Sequence, residues 1–177
     1  MSPSRLKVAS ILFVAVIGIL CAIQLSSKME KYPRYTYIAS NDHFKIRVQM
    51  FPEEGVGFVL GACYVFEASG MGSDSWIHVM TYKHDDPDPI PYDRVRFVND
   101  GSGYVFTPYK FASTTTTGTT WQVWDITRDL PGWRERRAAI SGVQVEADGT
   151  GVMKLNLFSA RKGELRTTDY GAHWQED

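Results

Sequence analysis

The chain has 177 residues, 44% of them hydrophobic and 22% charged, with 19 Lys+Arg against 20 Asp+Glu and a formal net charge of -1. That length holds one domain with a core of ordinary size and excludes a large multidomain enzyme. The near-neutral balance offers no basic face for phosphate backbones, which excludes nucleic acid as a first partner, and two cysteines, Cys21 and Cys63, cannot build a disulfide scaffold.

Residues 8–25, VASILFVAVIGILCAIQL, carry no charge and are flanked by Arg5 and Lys7 before and Lys28, Glu30 and Lys31 after. Such a run is at the lower bound of a membrane span and longer than most signal-peptide cores. Residues 1–27 therefore read as a signal anchor or signal peptide, and residues 28–177 as the domain it delivers. No small-x-small pair follows the run where cleavage prefers one, which favours an anchor. Cys21 lacks the small residue that precedes a lipid-modified cysteine. A short tail bearing Arg5 and Lys7 stays inside, so the rest of the chain crosses the membrane. The delivered part has 17 Lys+Arg against 20 Asp+Glu and is mildly acidic.

After residue 30 helical patterning is weak. Short runs of Val, Ile, Phe, Tyr, Thr and Trp recur between Gly, Pro, Asn and Asp clusters, which predicts an all-β domain of antiparallel strands. Strands are expected at 44–51, 57–66, 76–82, 94–98, 103–108, 120–125, 140–145 and 152–158, with helical composition only at 134–139. Cys63 lies within an apolar run, 59–66, and reads as a small buried hydrophobe. A nucleophilic cysteine would need a basic, partly exposed setting.

The domain repeats itself. Residues 95–105, VRFVNDGSGYV, stand 48 positions before residues 143–153, VQVEADGTGVM. Both read as strand, Asp-Gly turn, Gly, strand, with the turn glycine supplying positive φ. A fainter copy is expected at 48–59. Each copy ends at a tryptophan, Trp76, Trp121 or Trp174, at separations near the period of propeller blades.

The ends of the copies carry a turn motif. Thr167, Asp169, Gly171 and Trp174 follow the order Ser/Thr-x-Asp-x-Gly-x-x-Trp, and Thr114, Gly118 and Trp121 fit the same frame with Thr116 in the aspartate position. The motif resembles the Asp-box, or BNR repeat, which implies a hairpin between the outer strands of a propeller blade. A carboxylate accepting backbone N–H bonds, a glycine at positive φ and a covering Trp make it a structural device. With four threonines and no carboxylate, the middle turn at 114–117 is expected to be the more mobile one. The fold expected is an N-terminal transmembrane or signal helix followed by about three propeller-blade-like antiparallel β repeats, as a partial propeller or a two-layer β-sandwich. Open sheet edges would then need a cover from residues 32–40, a second subunit or a partner.

Catalytic chemistry is missing by the same reading. Sialidases carry Asp-boxes, but a sialidase would distribute arginines over a full ring, whereas Arg128, Arg134, Arg136 and Arg137 crowd into one connection. The segment 83–89, with His84, Asp85, Asp86 and Asp88, matches no metal-ligand spacing and contains two stiffening prolines. No Gly-x-Ser-x-Gly elbow and no phosphate-binding loop occurs. No enzyme, metal or cofactor is expected; a small hydrolase using His84 is the residual enzymatic alternative.

What remains is a binding surface in the connections. Asp85, Asp86, Asp88, Tyr92, Trp133, Arg134 and Arg137 combine aromatic and Arg anchors with a polar rim. The layout of an N-terminal signal followed by β repeats with degenerate Asp-box turns resembles the periplasmic immunity proteins of type VI secretion lipase effectors. That resemblance implies a bacterial chain held in the inner membrane by a single pass, or released after cleavage, whose periplasmic domain binds and occludes a cognate toxin. The alternative partner is a membrane complex, with the chain acting as an assembly or scaffold factor.

Overall fold

The computed structural model describes residues 32–55, 58–85, 90, 92–157 and 162–176. The apolar stretch 8–25 lies outside these, and among the described residues no helix is long and apolar enough to cross a membrane. The domain is all-β, as expected. It consists of three antiparallel four-stranded sheets, each a meander of consecutive strands. Sheet one holds β1 (Tyr35–Ser40), β2 (Phe44–Gly55), β3 (Phe58–Gly70) and β4 (Ile77–His84). Sheet two holds β5 (Val95–Phe97), β6 (Gly103–Phe106), β7 (Lys110–Thr114) and β8 (Gln122–Asp125). Sheet three holds β9 (Ala139–Val145), β10 (Gly151–Asn156), β11 (Lys162–Thr167) and β12 (Gln175–Glu176).

Strand alternation divides sheet two between two cores. Val105 and Ala112 face sheet one and join Phe44, Ile46, Val48, Tyr64, Phe66 and Met80. Tyr104, Phe106, Phe111 and Trp124 face the other way, onto Ile140, Met153, Leu155 and Leu165. Sheet two is thus the middle layer of three, which replaces the two-layer sandwich expected as an alternative. Cross-links join the layers: Tyr104 Oη donates to Val143 O at 3.0 Å, and Lys110 Nζ to Thr81 O at 3.1 Å.

The same turn recurs in all three sheets between the third and fourth strands. A hydroxyl residue opens it, Ser69, Thr114 or Thr167, and each is buried. Seven residues later comes Trp76, Trp121 or Trp174. Only the second and third copies are legible in the sequence, because in the first Ser73 stands where glycine belongs and Met71 where aspartate belongs. In the third copy Thr167 Oγ1 accepts from Gly171 N–H at 3.0 Å and donates to Asp169 Oδ1 at 2.7 Å, and Asp169 accepts from His173 N–H at 3.0 Å. In the second copy Thr116 does the work of the carboxylate: Thr120 N–H donates to Thr116 Oγ1 at 3.0 Å, and Gly118 N–H reaches Thr114 Oγ1 at 3.3 Å. The middle turn is therefore closed, contrary to the expectation from its missing aspartate, because a hydroxyl accepts as a carboxylate does. Each such turn also donates one N–H to the turn joining the first two strands of its sheet, Met71 to His43, Thr117 to Gly101 and Tyr170 to Gly149, all at 2.9 Å.

Three expectations are corrected. The 48-residue repeat does superpose the β5–β6 and β9–β10 hairpins, but only Gly149 takes positive φ, at 88°; at the earlier turn Asn99 Oδ1 accepts from Gly101 and Ser102 N–H instead. The faint copy at 48–59 falls in the β2–β3 hairpin, whereas the equivalent turn is closed by Asn41 Oδ1, which accepts from His43 and Phe44 N–H. Finally, residues 32–40 do not close an edge as a cover: β1 pairs along β2 as a further strand and is itself the edge of sheet one, and β7, β11 and β12 are strands beyond those expected.

Rings from one sheet seat on motif glycines of the next. A Cβ on Gly118 would lie 2.9 Å from the Phe44 ring, and one on Gly171 would collide with the Phe111 ring, with φ at +77° and +84°. Gly171→Ala is expected to cost about 2–4 kcal/mol, from positive-φ strain plus overpacking, read from urea midpoints. Gly142→Ala, where nothing lies within 4 Å of the added methyl, should change stability by less than about 0.5 kcal/mol; equal effects at both sites would refute the ring-on-glycine account.

The Asp169 carboxyl gives a second test. Partial burial pushes it up, but the bonds from the His173 ring, His173 N–H and Thr167 hydroxyl outweigh burial and hold it below its ordinary value. A carboxyl lowered by folding stabilises above its unfolded pKa, and that contribution disappears as pH falls through the folded value. Asp169→Ala should cost about 1–2 kcal/mol near neutrality. The gap between variant and parent should shrink from about pH 5 downward. A gap that does not change with pH would show that the charge plays no part.

Candidate functional site

In a meander, the turns between strands two and three, and the connections between sheets, lie at the end opposite the hydroxyl-Trp turns. Three chain segments meet at this connection end. The first is the end of β4, with Tyr82, Lys83, His84 and the exposed Asp85. The second is the β6–β7 turn, where buried Thr107 accepts from Lys110 N–H at 3.0 Å and Tyr109 N–H at 3.4 Å, and so holds Tyr109 at 38% exposure. The third is the β8–β9 connection, which contains α1 (Ile126–Asp129) and α2 (Trp133–Arg136). Ile126 N–H donates to Tyr109 O at 2.9 Å and ties the last two together.

A line of aromatic rings crosses these segments. Tyr64 stacks on Tyr82 at 6.0 Å between centroids, Tyr82 on His84 at 5.7 Å, Tyr82 tilts against Tyr109 at 6.3 Å, and Tyr109 meets Trp133 edge-on at 6.5 Å. The Arg134 guanidinium lies 5.6 Å from the Trp133 ring, within cation–π range. Exposed Arg137 ends α2 in the left-handed region at φ +46°, a conformation rare for a residue with a side chain.

Of the sequence-predicted contact residues, the chain neighbours Trp133 and Arg134 meet as a cation–π pair in α2, and Asp85 follows His84 at the end of β4. Asp86 and Asp88 lie outside the described residues. Tyr92 sits in the short 3-10 turn Tyr92–Arg94 ahead of β5, and its side chain is likewise not described. Arg128 is engaged locally: it donates from Nε and Nη2 to Asp129, each at 2.6 Å, and from Nη2 to Val123 O at 2.9 Å. Its hydrogen bonds, ahead of partial burial in the other direction, hold the Asp129 carboxyl below its ordinary value. The predicted turn residues Thr114, Gly118, Trp121, Thr167, Asp169, Gly171 and Trp174 fill the structural roles described above. Sequence reasoning missed Tyr82 as the link, since its ring neighbours Tyr64, His84 and Tyr109 come from β3, β4 and the β6–β7 turn.

Among the described residues no group of three or more His, Cys, Asp or Glu stands together as metal ligands would. A shallow groove of about 400 Å³ on the outer face of sheet three is lined by Gln144, Glu146, Thr150, Val152, Arg166 and Thr168. Two of its threonine hydroxyls are engaged in turns, Thr150 donating to Asp148 and Thr167 to Asp169, each at 2.7 Å.

Cys63 is buried at 4% exposure, and desolvation raises its thiol, ahead of the opposing Lys83 charge. In a Cys21→Ser background Cys63 is expected to react with an aromatic disulfide reagent about ten-fold or more slowly than in guanidinium chloride; rapid native-state reaction would reopen the nucleophile question. No protein-family model, no curated protein and no solved structure matches the chain.

Proposed function

We propose that the chain is a periplasmic immunity protein whose β domain binds a cognate secreted toxin, a lipase effector, and occludes its access to phospholipid. In this reading the three sheets are consecutive propeller blades left open as an arc, and residues 8–25 hold the domain at the inner membrane. The observation that carries it is the connection end, where Tyr82, Tyr109 and Trp133 form a continuous aromatic line capped by Arg134 and flanked by Asp85. Aromatic and Arg anchors with a charged rim are the composition of an interface core. Such a surface blocks a partner by covering it and needs no chemistry of its own.

Capture with tagged full-length chain from membrane and periplasmic fractions, read by mass spectrometry, is expected to recover one stoichiometric hydrolytic partner. Asp85→Ala, Tyr109→Ala and Arg134→Ala combined should weaken that partner's binding about ten-fold or more, with the unfolding midpoint little changed. Undiminished affinity would rule out the connection end. Recovery of an integral membrane complex in place of a toxin would replace this reading with that of an assembly factor.

A further inference from the structure

The sheets carry side-chain pairs at matching places in their registers. On the face toward the next sheet, Val48 stands opposite Phe66, Phe106 opposite Phe111 and Lys154 opposite Glu164. The first two pairs are buried in the two cores, whereas Lys154 and Glu164 are exposed. On the face toward the preceding sheet, Arg47 stands opposite Glu67, Val105 opposite Ala112 and Met153 opposite Leu165. Here sheet one is the charged member, and Arg47 Nε donates to Glu67 Oε2 at 2.8 Å. The stack thus closes in a charged pair at both ends, as the terminal units of a repeat do.

The two terminal faces differ in what else they carry. Trp121 packs against the core between sheets one and two, and Trp174 against the core between sheets two and three. Sheet one has no preceding sheet among the described residues, and its turn tryptophan, Trp76, lies over two cations of its own sheet. The Arg47 guanidinium carbon is 4.1 Å and Lys45 Nζ 5.0 Å from the ring centre. Ile46 and Val48 face sheet two, so Lys45, Arg47 and the Trp76 ring mark the free face. Ile38 pairs with Arg47 on that face and is 52% exposed. Among the described residues the exposed large hydrophobic side chains are Tyr32, Ile38, Met71, Ile77 and Tyr109. All but Tyr109 belong to sheet one, its last turn or the residues that lead into it; sheet three has none of them.

The length of chain ahead of β1 limits what lies against this face. The uncharged run 8–25 ends nine residues before Tyr35, where β1 begins. Nine residues reach at most about 30 Å, and these include Lys28, Lys31 and Arg34 against Glu30. Aromatic, apolar and basic side chains on one surface are the composition of a membrane–water interface, and basic groups are drawn to anionic headgroups. A tether also makes docking intramolecular, so a modest patch suffices. A second copy is the poorer occupant, because the free face of its sheet three would offer Trp76 the charges of Lys154, Glu164 and Arg166 in place of the rings that sheets one and two offer.

We propose that the free face of sheet one docks on the phospholipid surface that residues 8–25 enter, with Trp76 and Ile38 at headgroup level and Lys45 on a lipid phosphate. This rests on the membrane-anchor reading and adds how the domain lies. Its strands run along the membrane, and the connection end opens sideways at the height where a lipase meets phospholipid.

The run 8–25 contains no tryptophan, so tryptophan emission reports the domain. Full-length chain is reconstituted in vesicles of phosphatidylcholine and phosphatidylglycerol, with and without lipids brominated near the headgroup end of the acyl chain, and flotation reads retention. Quenching by the brominated lipid is expected, with most of it lost in Trp76→Phe. Ile38→Glu combined with Lys45→Glu, which keeps the tryptophan, should also lose much of it, while every variant still floats. Floating chain with no quenching, or with equal quenching in Trp76→Phe, overturns the docking and leaves the anchor standing. Chain that does not float defeats the anchor reading and the docking with it. A parent that is dimeric and unquenched, and becomes monomeric in Trp76→Phe, assigns the face to a second copy and overturns the proposal.

Discussion

The stack depends on aromatic rings that have room only because a glycine lies opposite. Phe44 leaves sheet one and packs against Gly103 and Gly118 of sheet two, meeting Phe97 edge-on at 4.9 Å; Phe111 leaves sheet two and packs against Gly171 of sheet three, meeting Trp174 edge-on at 5.2 Å. Each contact puts a large ring where a single methyl would collide, so the spacing and register of adjacent sheets are set together. Sheet packing elsewhere tolerates exchange of similar volumes, but these points do not. The turn that provides the glycine is also the turn that its hydroxyl residue closes, so the hydrogen bonds of one sheet prepare the seat for the ring of another.

The three turns show how little of a motif's spelling its function requires. Asp169 and Thr116 present an oxygen to the same backbone N–H, four residues on, at the same 3.0 Å. Where neither is present, Ser69 donates to Ser73 O at 3.1 Å. Trp121 Nε1 donates to Gly118 O at 3.0 Å, whereas Trp174 Nε1 is buried without a partner; the ring's packing, common to both, matters more than its N–H.

Much of this was legible in the sequence. The all-β class, the 48-residue offset and the second and third turn motifs follow from residue types that few other structures explain. Two of the strands that escaped notice have mixed composition: Lys110–Thr114 contains Lys, Ala and Ser, and Lys162–Thr167 contains Gly, Glu and Arg. Both are strands because their neighbours pair with them, not by intrinsic preference. The first turn escaped because Met71 and Ser73 break the pattern while the backbone contact to the first hairpin is kept. At the connection end, Trp133 and Arg134 were visible as a contact pair, but Tyr82, whose phenol oxygen is buried without a partner, was not. Nothing local marks a buried tyrosine whose hydroxyl lacks an acceptor; that property belongs to the space between two sheets.

The seat of Phe111 joins residues 60 positions apart, since its glycine is Gly171. A chain that emerges N-terminus first completes the first ring contact once Gly118 is out, and can then hold sheets one and two together. The opposite face of sheet two, with Tyr104, Phe106, Phe111 and Trp124, stays bare until sheet three follows, and the Phe111 ring lacks its glycine seat until the last turn is made. Throughout that interval the incomplete domain presents an aromatic sheet face to whatever is nearby, so its safest route is one on which the third sheet follows fast or a chaperone occupies that face first.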